Sequence, residues 1–467
     1  MFKKEVYISR REKLTSLVSD GIILLPGNTD VAFNYPANIY TFRQDSSFLY
    51  FFGVKEPNII GIIDVNTGED YMFGNDVDID DIIWMGKLPT MKDFASKNGV
   101  KNTAPLSNAA DFIKKAISQG RKIHFLPAYR AETKLQLQDL LNIPANEINN
   151  NVSEELIKAV IKLREKKDKY EIANIEASID VAYKMHTTAM KMAQPGMTEQ
   201  EIFGTMEGIA LAGGGPVSFP VILSVNGNIL HNHHHNNTLK KGQLLLADAG
   251  AESSMHYCSD ITRVSPVGGK FSAKQKDIYQ AVLDANVEVI KNSKDGVAYK
   301  EMHLLSAKII AERLKAIGLM KGNIEDAVAN GAHALFYPHG LGHMMGLDVH
   351  DMEGLGENYV GYNDKFKRSK QFGLAFLRMA KKLEEGFVMT VEPGIYFIPE
   401  LIDIWKAEKK HSEFINYDKL EDYRNFGGIR IEDDILITKD SCKVLGKPIP
   451  KTIKDVEDMV NSGKLNV

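Results

Sequence analysis

Two segments of the chain carry a carboxylate at the same place in an apolar run. Residues 242–250 and residues 386–394 each begin with glycine, place an acid six positions later and place another glycine two positions after the acid. The two acids are Asp248 and Glu392. Because an isolated carboxylate is costly to bury, each is expected to have a partner that offsets the loss of water.

A second acidic segment follows each of these two. Asp260 lies in residues 257–264, and Glu432 lies in residues 428–435. We interpret the four segments as two similar two-stranded hairpins with two acids each, so that four carboxylates converge if the hairpins face each other. Such a cluster is tolerable only around cations. A network of structural salt bridges is the alternative, but it would need more nearby cationic residues than these segments contain.

Histidines lie between the two hairpins in the sequence. Residues 338–343 contain His339 and His343, and residues 346–351 contain His350. Imidazole beside carboxylate suits first-row transition metals such as Mn, Fe, Co or Zn. The residue types therefore predict an oxygen-rich metal site with one or two nitrogen ligands, although any one of these histidines taken alone could equally be a core residue.

Length, charge and cysteine content limit the class of protein. The 467 residues are enough for two or three domains, and a net charge of −4 provides no field that attracts nucleic acid or an anionic membrane. Two cysteines, Cys258 and Cys442, make no disulfide framework, which favours the cytoplasm. No apolar run approaches the roughly 20 residues of a membrane span, and no apolar signal segment follows the basic start.

Hydrophobic spacing predicts long helices around the acidic hairpins. Helical periodicity runs from residue 172 to residue 190, with His186 on its apolar face as a core residue, and further helices follow. The charged run 164–169 is interpreted as a solvated helix surface. The first 150 or so residues mix short strands and helices, with a hairpin signal at 66–68. Together these features predict an α+β fold with strands inside and helices outside.

In combination the motifs resemble the Xaa-Pro aminopeptidases (aminopeptidase P) of the pita-bread metallopeptidase family. The matching segments are HGLGH at 339–343, LDVHD at 347–351, VEPG at 391–394, RIED at 430–433 and a stretch like the family's amino-terminal domain at 40–53. The resemblance implies a pseudo-symmetric pita-bread (creatinase/aminopeptidase-like) catalytic domain after a smaller α/β domain. The expected boundaries are an amino-terminal domain at 1–155, a linker helix region at 156–170, a catalytic domain at 171–446 and a peripheral polar tail at 447–467.

The resemblance also implies the metal ligands. Two divalent ions, usually Mn in this family and otherwise Co, Zn or Fe, would be held by Asp248, Asp260, His343, Glu392 and Glu432. Such a pair lowers the pKa of a shared water molecule and polarises the scissile carbonyl, so that a metal-bridging hydroxide attacks the peptide bond. Glu392 is the expected general base.

Further residues take roles around the metals by the same resemblance. His231 and His350 would bind the carbonyl oxygen and stabilise the tetrahedral intermediate. The other assignments are a wall around the penultimate proline for His339, a brace for the carboxylates for Arg430 and a lining position in the cleft for Trp84. Ordinary core packing is the alternative for Trp84.

Three features leave questions open. Asp248 and Asp260 are 12 positions apart, one more than is frequent in the family, and we expect a β-bulge to absorb the extra residue and restore the facing of Asp260; without such a bulge, one metal site would be weakened. The stretch 400–422 lengthens the second hairpin and is expected to form a surface loop or rim. His231 begins the histidine-rich stretch 231–237, whose other histidines are interpreted as solvated; an exposed metal-scavenging tract is the alternative.

The resemblance implies a cytoplasmic, dinuclear metal-dependent aminopeptidase that removes the first residue from peptides with proline in second place. It would be a homodimer or homotetramer, with no nucleic-acid or membrane partner. The nearest alternative is a prolidase restricted to Xaa-Pro dipeptides, because the cleft rim sets this preference. A creatinase-like hydrolase and a non-catalytic peptide-binding module are less favoured, because both depart from the full set of five ligands.

Overall fold

The architecture comes from a computed structural model, which describes residues 2–463. The chain divides into two compact units, the first formed by Met1–Arg164 with Glu353–Tyr359 and the second by Glu165–Met352 with Val360–Val467. The domain boundaries drawn from the sequence stay predictions. Among the described residues, no helix combines the length and the apolar character needed to cross a membrane.

The first unit contains a five-stranded sheet with the strand order β6-β5-β4-β1-β7. Its elements are α1 (Lys4–Thr15), β1 (Ile22–Pro26), β2 (Ala32–Tyr35), β3 (Asn38–Ile39), α2 (Ser46–Phe52), β4 (Ile60–Asp64), β5 (Glu69–Phe73), α3 (Ile79–Met85), α4 (Met91–Asn98), β6 (Asn102–Ala104), α5 (Asn108–Ser118), β7 (Ile123–His124), α6 (Ala131–Leu141) and α7 (Glu154–Arg164). The predicted hairpin turn at 66–68 joins β4 to β5, and Gly68 adopts the positive φ of +67° that the turn requires. Apolar residues of β1 and β4, including Ile22 and Ile62, form the core beneath helix α5.

The second unit combines long helices with three small sheets. Its elements are α8 (Lys169–Met192), α9 (Glu199–Ala212), β8 (Ile222–Ser224), β9 (Leu244–Ala249), β10 (Ile261–Pro266), α10 (Ala273–Asn292), α11 (Tyr299–Ala316), α12 (Ile324–Ala329), α13 (Glu357–Val360), which includes residues of both units, β11 (Val388–Val391), β12 (Gly394–Tyr396), α14 (Pro399–Ala407), α15 (Tyr417–Leu420), β13 (Gly428–Arg430), β14 (Asp433–Ile437), β15 (Cys442–Val444) and α16 (Ile453–Ser462). The sheets have the orders β10-β9-β8, β11-β14-β15 and β12-β13. Every residue of β9 and β10 is buried, as expected for strands enclosed by helices.

The first acidic hairpin has a regular register without a bulge. Ala249 pairs with Ile261, and further out Glu252 pairs with Cys258, so equal numbers of residues lie on the two strands between these pairs. The expected β-bulge is therefore wrong. The extra residue is accommodated in the turn 253–257, where the backbone reverses through a positive φ of +66° at position 256.

Regular pairing nevertheless keeps the two acids of this hairpin together. Asp248 pairs with Thr262, and Asp260 precedes Thr262 by two residues. Because side chains two residues apart in a strand lie on the same face, Asp260 projects from the same face as Asp248.

The second acidic hairpin is continuous across β11–β14 and β12–β13. Val391 pairs with Asp433 and Gly394 pairs with Arg430, in one common register. This register places Glu392 directly opposite Glu432. The duplication is therefore not exact, because the residue opposite Asp248 in the first hairpin is a threonine.

Two segments that were expected to be solvated contribute to the interior instead. In the described part of the tail, Val456 and Val460 of α16 are fully buried in the main hydrophobic core, so the expectation of a peripheral tail is wrong. In the stretch 400–422, Trp405 of α14 is also buried in that core, which makes this insertion an anchored helical segment rather than a surface loop. Both helices have apolar residues at helical spacing on one face only.

Candidate metal centre

The second unit contains a cavity of about 810 Å³ at its two acidic hairpins. The charged and imidazole groups in its wall are Asp248, Asp260, Glu392, Glu400, Glu432, His231, His233, His339, His343, His350, Arg378 and Arg430. Every site residue predicted from the sequence is among them except Trp84. The hairpins and the histidine segments therefore bring their polar side chains to one place, as their spacing predicts.

Three of the five predicted ligands lie closest together. Asp260, His343 and Glu432 each offer one ligand atom, and these atoms lie within 4.8 Å of one another. The His343 Nε2 atom lies 3.3 Å from Asp260 Oδ2 and 3.8 Å from Glu392 Oε1. All of these residues line the same cavity as Asp248, so one or more cations could contact several ligands at once.

The tautomer of His343 indicates what must lie between the imidazole and Asp260. The Nδ1 atom is 3.0 Å from the Met344 carbonyl oxygen, which can only accept a hydrogen bond, so Nδ1 carries the hydrogen. In the neutral ring Nε2 is then an acceptor that faces a carboxylate at 3.3 Å. Two acceptors at this distance need a proton or a metal ion between them, and an Nε2 ligand with Nδ1–H bonded to a carbonyl is typical of metal-binding histidine.

The carboxylates themselves fit a cation. Burial and the negative charge of neighbouring acids raise the pKa of Asp260 and of Glu432 well above the usual range, and burial raises the pKa of Glu392. The Oδ1 atoms of Asp248 and Asp260 are buried and accept no hydrogen bond from the described residues. Of the four acids, Arg430 bonds directly to Asp248 alone, so a cation explains the rest of the cluster better than a salt-bridge network does.

Arg430 braces the cluster from its position on β13. Its guanidinium donates hydrogen bonds to Asp248 Oδ2 (2.5 Å), to the Tyr396 hydroxyl (2.7 Å) and to the Thr262 hydroxyl (3.1 Å). Thr262 in turn donates to Glu432 Oε2 at 2.7 Å. One arginine thus orients an acid from each hairpin, directly for Asp248 and through Thr262 for Glu432.

Sequence reasoning missed three of the residues that position the ligands. Thr262 and Tyr396 bond to Arg430, and Asp434 accepts a hydrogen bond of 3.0 Å from the backbone N–H of Asp260. Thr262 could have been found as the cross-strand neighbour of Asp248 once the register was known. Neither Tyr396 nor Asp434 carries a local signal of its own.

His339 is held in one orientation in the cavity wall. Its Nδ1–H donates to the Gly340 carbonyl oxygen (2.7 Å), so Nε2 accepts a hydrogen bond from the Tyr396 hydroxyl (2.9 Å). Burial lowers the pKa of His339 to about 3, which keeps its ring neutral. The ring packs edge-on against Tyr337 at 5.0 Å, and Nδ1 lies 3.9 Å from Glu392 Oε2. A fixed, neutral ring of this kind is suited to forming a wall.

The histidine-rich stretch does not behave as one solvated tract. His231, His233 and His234 are exposed, and the first two of them also line the cavity. His235 is buried, is bonded through Nδ1 to the Leu223 carbonyl oxygen and stacks on a phenylalanine ring at 4.2 Å. The expectation that the other histidines are solvated is therefore wrong for His235.

His350 and His186 take contrasting positions. The His350 ring lies edge-on to the His343 ring with 4.3 Å between the centroids, and it lines the cavity. His186 is fully buried in α8 with Nε2 at 2.9 Å from the Ala249 carbonyl oxygen, so its interpretation as a core residue is confirmed.

Trp84 lies in the first unit, on α3. Its side chain is 86% exposed, and Ile79, Ile83 and Met85 of the same helix are exposed as well. Core packing, the alternative for Trp84, is therefore wrong. Its predicted position in the substrate cleft stays a prediction.

The cavity wall also has an apolar part. Phe372, Phe376, Ile398, Leu401 and Ile404 contribute to it, and the last two belong to α14. The inserted segment 400–422 therefore supplies part of the substrate-sized cavity.

Comparisons with known proteins agree with this geometry. Residues 173–439 match the model of metallopeptidase family M24, and residues 7–124 match the aminopeptidase P N-terminal domain. The chain is 31% identical to the Xaa-Pro dipeptidase of Homo sapiens over 96% of its own length and 90% of that protein. It is 32% identical to a probable Xaa-Pro aminopeptidase of Aspergillus clavatus, over 90% and 88% of the two chains.

Solved structures resemble the whole chain. Aminopeptidase PepP of Pseudomonas aeruginosa superimposes with a TM-score of 0.81 at 27% identity, covering 99% of each chain. The low-pH form of Escherichia coli aminopeptidase P gives a TM-score of 0.82 at 27% identity, covering 100% of each chain. The predicted fold class and the predicted enzyme class, a metallopeptidase, are thereby confirmed. The chain belongs to metallopeptidase family M24, the pita-bread family that includes the Xaa-Pro aminopeptidases.

Proposed function

We propose that this metallopeptidase is an Xaa-Pro aminopeptidase that uses two divalent metal ions to hydrolyse the first peptide bond of peptides with proline in second place. The observation that carries the proposal is the convergence of four carboxylates and His343 Nε2 on one cavity, with raised carboxylate pKa values and unsatisfied oxygens. Names of relatives that include both Xaa-Pro aminopeptidase and Xaa-Pro dipeptidase support the proline preference.

The metal ions would be held by the five ligands predicted from the sequence. These are Asp248, Asp260, His343, Glu392 and Glu432. Mn is the proposed metal, with Co, Zn or Fe as alternatives, since the donor set mixes oxygen with one nitrogen. When bound, such ions make a nucleophile from water near neutral pH and polarise the scissile carbonyl.

Glu392 is the proposed general base. Its side chain is 19% exposed, whereas those of Asp260 and His343 are 7% and 6% exposed, so Glu392 has the most access to the cavity of these three. Burial raises the pKa of Glu392 above its ordinary value, which suits a group that takes up a proton and then passes it on.

His231 and His350 are proposed to bind the substrate carbonyl. Partial burial and the positive charge of Arg430 lower the pKa of His231, so its neutral ring offers an N–H donor to a developing oxyanion. Proline has no backbone N–H and a fixed φ, so a rigid wall can select its ring. His339, held by Tyr396, is the proposed part of that wall.

The cavity favours peptides longer than two residues. Its volume of about 810 Å³ lies in the upper part of the range of roughly 300–1,000 Å³ that is typical of small-molecule pockets. Leu401 and Ile404 add apolar surface to its wall, and apolar surface of this kind suits side chains that follow the proline.

A prolidase is the second candidate. Arg378 lines the same cavity, and a guanidinium can pair with the free carboxylate of a bound dipeptide. The relative from Homo sapiens, named Xaa-Pro dipeptidase, also favours this candidate.

One experiment separates the two candidates. The purified protein is loaded with Mn²⁺ and given an Xaa-Pro dipeptide, an Xaa-Pro-Yaa tripeptide and an Xaa-Ala-Yaa tripeptide side by side. The proposal expects hydrolysis of the proline tripeptide and little of the alanine tripeptide. Hydrolysis of the dipeptide alone would establish a prolidase, and equal hydrolysis of both tripeptides would contradict the proline preference.

Location and assembly remain proposals as well. A cytoplasmic location is supported by the low cysteine content, since the sequence contains two cysteines, Cys258 and Cys442, and thus no disulfide framework. A homodimer or homotetramer is supported by the exposed apolar residues of α3 around Trp84, since such patches often mark interfaces. Light scattering of the purified chain tests the assembly.

A further inference from the structure

A buried ion pair lies behind the segment that carries His350. The Lys167 ammonium is 2.8 Å from Asp351 Oδ2, and each side chain is only 1% exposed. Lys167 belongs to the charged run that the sequence suggested was solvated. This interpretation is wrong for the buried Arg164 and Lys167, whereas Lys166 and Lys169 are exposed. Desolvating two charges offsets much of their attraction, so stability alone is a weak explanation for the pair.

Asp351, the acid of this pair, is the last residue of a short hydrogen-bonded loop formed by residues 344–351. The backbone N–H of Asp351 donates to the Met344 carbonyl oxygen (2.9 Å), and the backbone N–H of Asp348 is 3.3 Å from Asp351 Oδ1. One carboxylate oxygen therefore contacts the loop and the other contacts Lys167. His343 immediately precedes the loop, and His350 lies next to its closing residue.

The ion pair packs directly on the middle of this loop. A Cβ atom at Gly346 would lie 2.5 Å from Asp351 Oδ2 and 3.0 Å from Lys167 Cε, so a side chain does not fit there. The Gly346 carbonyl oxygen accepts a hydrogen bond of 2.8 Å from the Cys258 backbone. The loop is thus packed between the Lys167–Asp351 ion pair on one side and the first acidic hairpin on the other.

The backbone of Lys167 is hydrogen-bonded to the segment that leads into the second acidic hairpin. Its backbone N–H donates to the Gly386 carbonyl oxygen (2.8 Å), two residues before β11 begins. The loop is bonded to the same strand, through Met345 N–H to the Val388 carbonyl oxygen (3.1 Å). The pair therefore sets the loop relative to the strand that leads to Glu392.

From these contacts we propose that Lys167 and Asp351 are positioning residues for His350. They hold the loop so that the His350 ring stays 4.3 Å from the His343 ring and faces the cavity. The kinetic part of this inference rests on the proposed function, because it takes His350 to bind the substrate carbonyl.

The kinetic test is a double-mutant cycle in the metal-loaded full chain. Lys167→Met should lower kcat for an Xaa-Pro peptide by about 10²-fold, the effect of a misplacement of about 1 Å, with KM and metal content nearly unchanged. In a His350→Ala background the same change should alter kcat by less than about twofold, because coupled residues are not additive. Independent losses that multiply, or a normal kcat in Lys167→Met, would overturn the inference.

Matched variants separate this role from a loss of folding. Arg11 and Asp70 form a comparable buried pair in the first unit, at 2.6 Å with side chains 3% and 9% exposed. Arg11→Met should leave kcat within about twofold of the unaltered chain, since the groups that the Arg11 guanidinium bonds, the Asp70 carboxylate and backbone carbonyl oxygens of residues 51, 98 and 99, belong to the first unit. If Lys167→Met does not fold, Asp351→Asn, which keeps an acceptor for Asp348 N–H, takes its place with the same expected non-additivity.

A spectroscopic test does not depend on turnover. In histidine-labelled full chain loaded with diamagnetic Zn²⁺, the His350 ring signal is identified by its loss in His350→Ala. It should shift in Lys167→Met and stay in place in Arg11→Met, while the signal of the core residue His186 stays in place in both. An unmoved His350 signal in Lys167→Met contradicts the positioning role, whereas absence of turnover in the unaltered chain contradicts only the proposed function.

Discussion

Arg430 of β13 and Asp248 of β9 are joined across the two acidic hairpins by a hydrogen bond of 2.5 Å between Nη2 and Oδ2. Burial of the pair makes this bond a fixed link between two separate strand pairs. Because the same guanidinium also bonds to Tyr396 and Thr262, it sets the orientation of groups on both hairpins.

Replacing Arg430 by lysine should therefore loosen the metal centre. An ammonium is a point charge and cannot reproduce three directed N–H bonds. We expect metal affinity to fall by about 10- to 100-fold, the usual effect of losing a group that orients a ligand. Calorimetric titration with Mn²⁺ measures this, with Arg424→Lys as the control, since Arg424 is a partly exposed arginine paired with Asp403. Equal affinities in the two variants would contradict the bracing role.

Replacing Glu392 by glutamine should remove the general base and leave the fold intact. We expect kcat to fall by about 10²- to 10⁴-fold, the range for a positioned acid–base group, with an unchanged circular dichroism spectrum. The exposed neighbour Glu385→Gln is the control and should retain normal turnover. A near-normal rate in Glu392→Gln would show that another residue is the base.

The acids of the metal centre were predictable because their signal is local. Asp248 and Glu392 each lie in an apolar run bounded by glycines, and this pattern has few structural explanations besides a buried, partnered acid. The register that brings Asp260 and Glu432 to them follows from hairpin pairing, although the turn of the first hairpin absorbed a residue that was expected in a bulge.

The groups that support the ligands were not predictable in the same way. Lys167 lies in a run whose composition is the same whether it is solvated or buried, and its partner Asp351 is 184 positions away. The hydrogen bond between Tyr396 and His339 likewise depends on which strand packs beside His339, and this is a tertiary contact rather than a local pattern. The tail helix was missed because its apolar residues, Ile453, Val456, Met459 and Val460, form a short stripe in an otherwise polar segment.

Arg378 provides a test of peptide length. If the free carboxylate of a dipeptide pairs with this guanidinium, Arg378→Met should raise KM for an Xaa-Pro dipeptide by about tenfold or more, the effect of losing a charged hydrogen bond of about 1.5–3 kcal/mol. A longer peptide carries its carboxylate further from the metal centre, so KM for an Xaa-Pro-Yaa-Yaa tetrapeptide should change much less. Steady-state kinetics on both substrates measures the difference, and an equal change in KM would exclude carboxylate recognition by Arg378.

His186 should make the stability of the protein depend on pH. Burial lowers its pKa to about 4, so the folded chain keeps this ring neutral while the unfolded chain protonates it below its ordinary pKa of about 6.5. The contribution is fully present above about pH 6.5 and is lost as the pH falls towards 4, by about 3 kcal/mol in total. His186→Phe should flatten the pH dependence of urea unfolding in this window, whereas His234→Asn, at an exposed position, should not. An unchanged pH dependence in His186→Phe would contradict the assignment.

The most direct test of the account is the number of metal ions bound per chain, measured by elemental analysis after loading with Mn²⁺ and gel filtration. The account predicts two ions in the unaltered chain and in the control Asp403→Ala, and fewer than two in Asp260→Ala. A chain that retains no metal, or an Asp260→Ala variant that retains two ions as tightly as the unaltered chain, would contradict it.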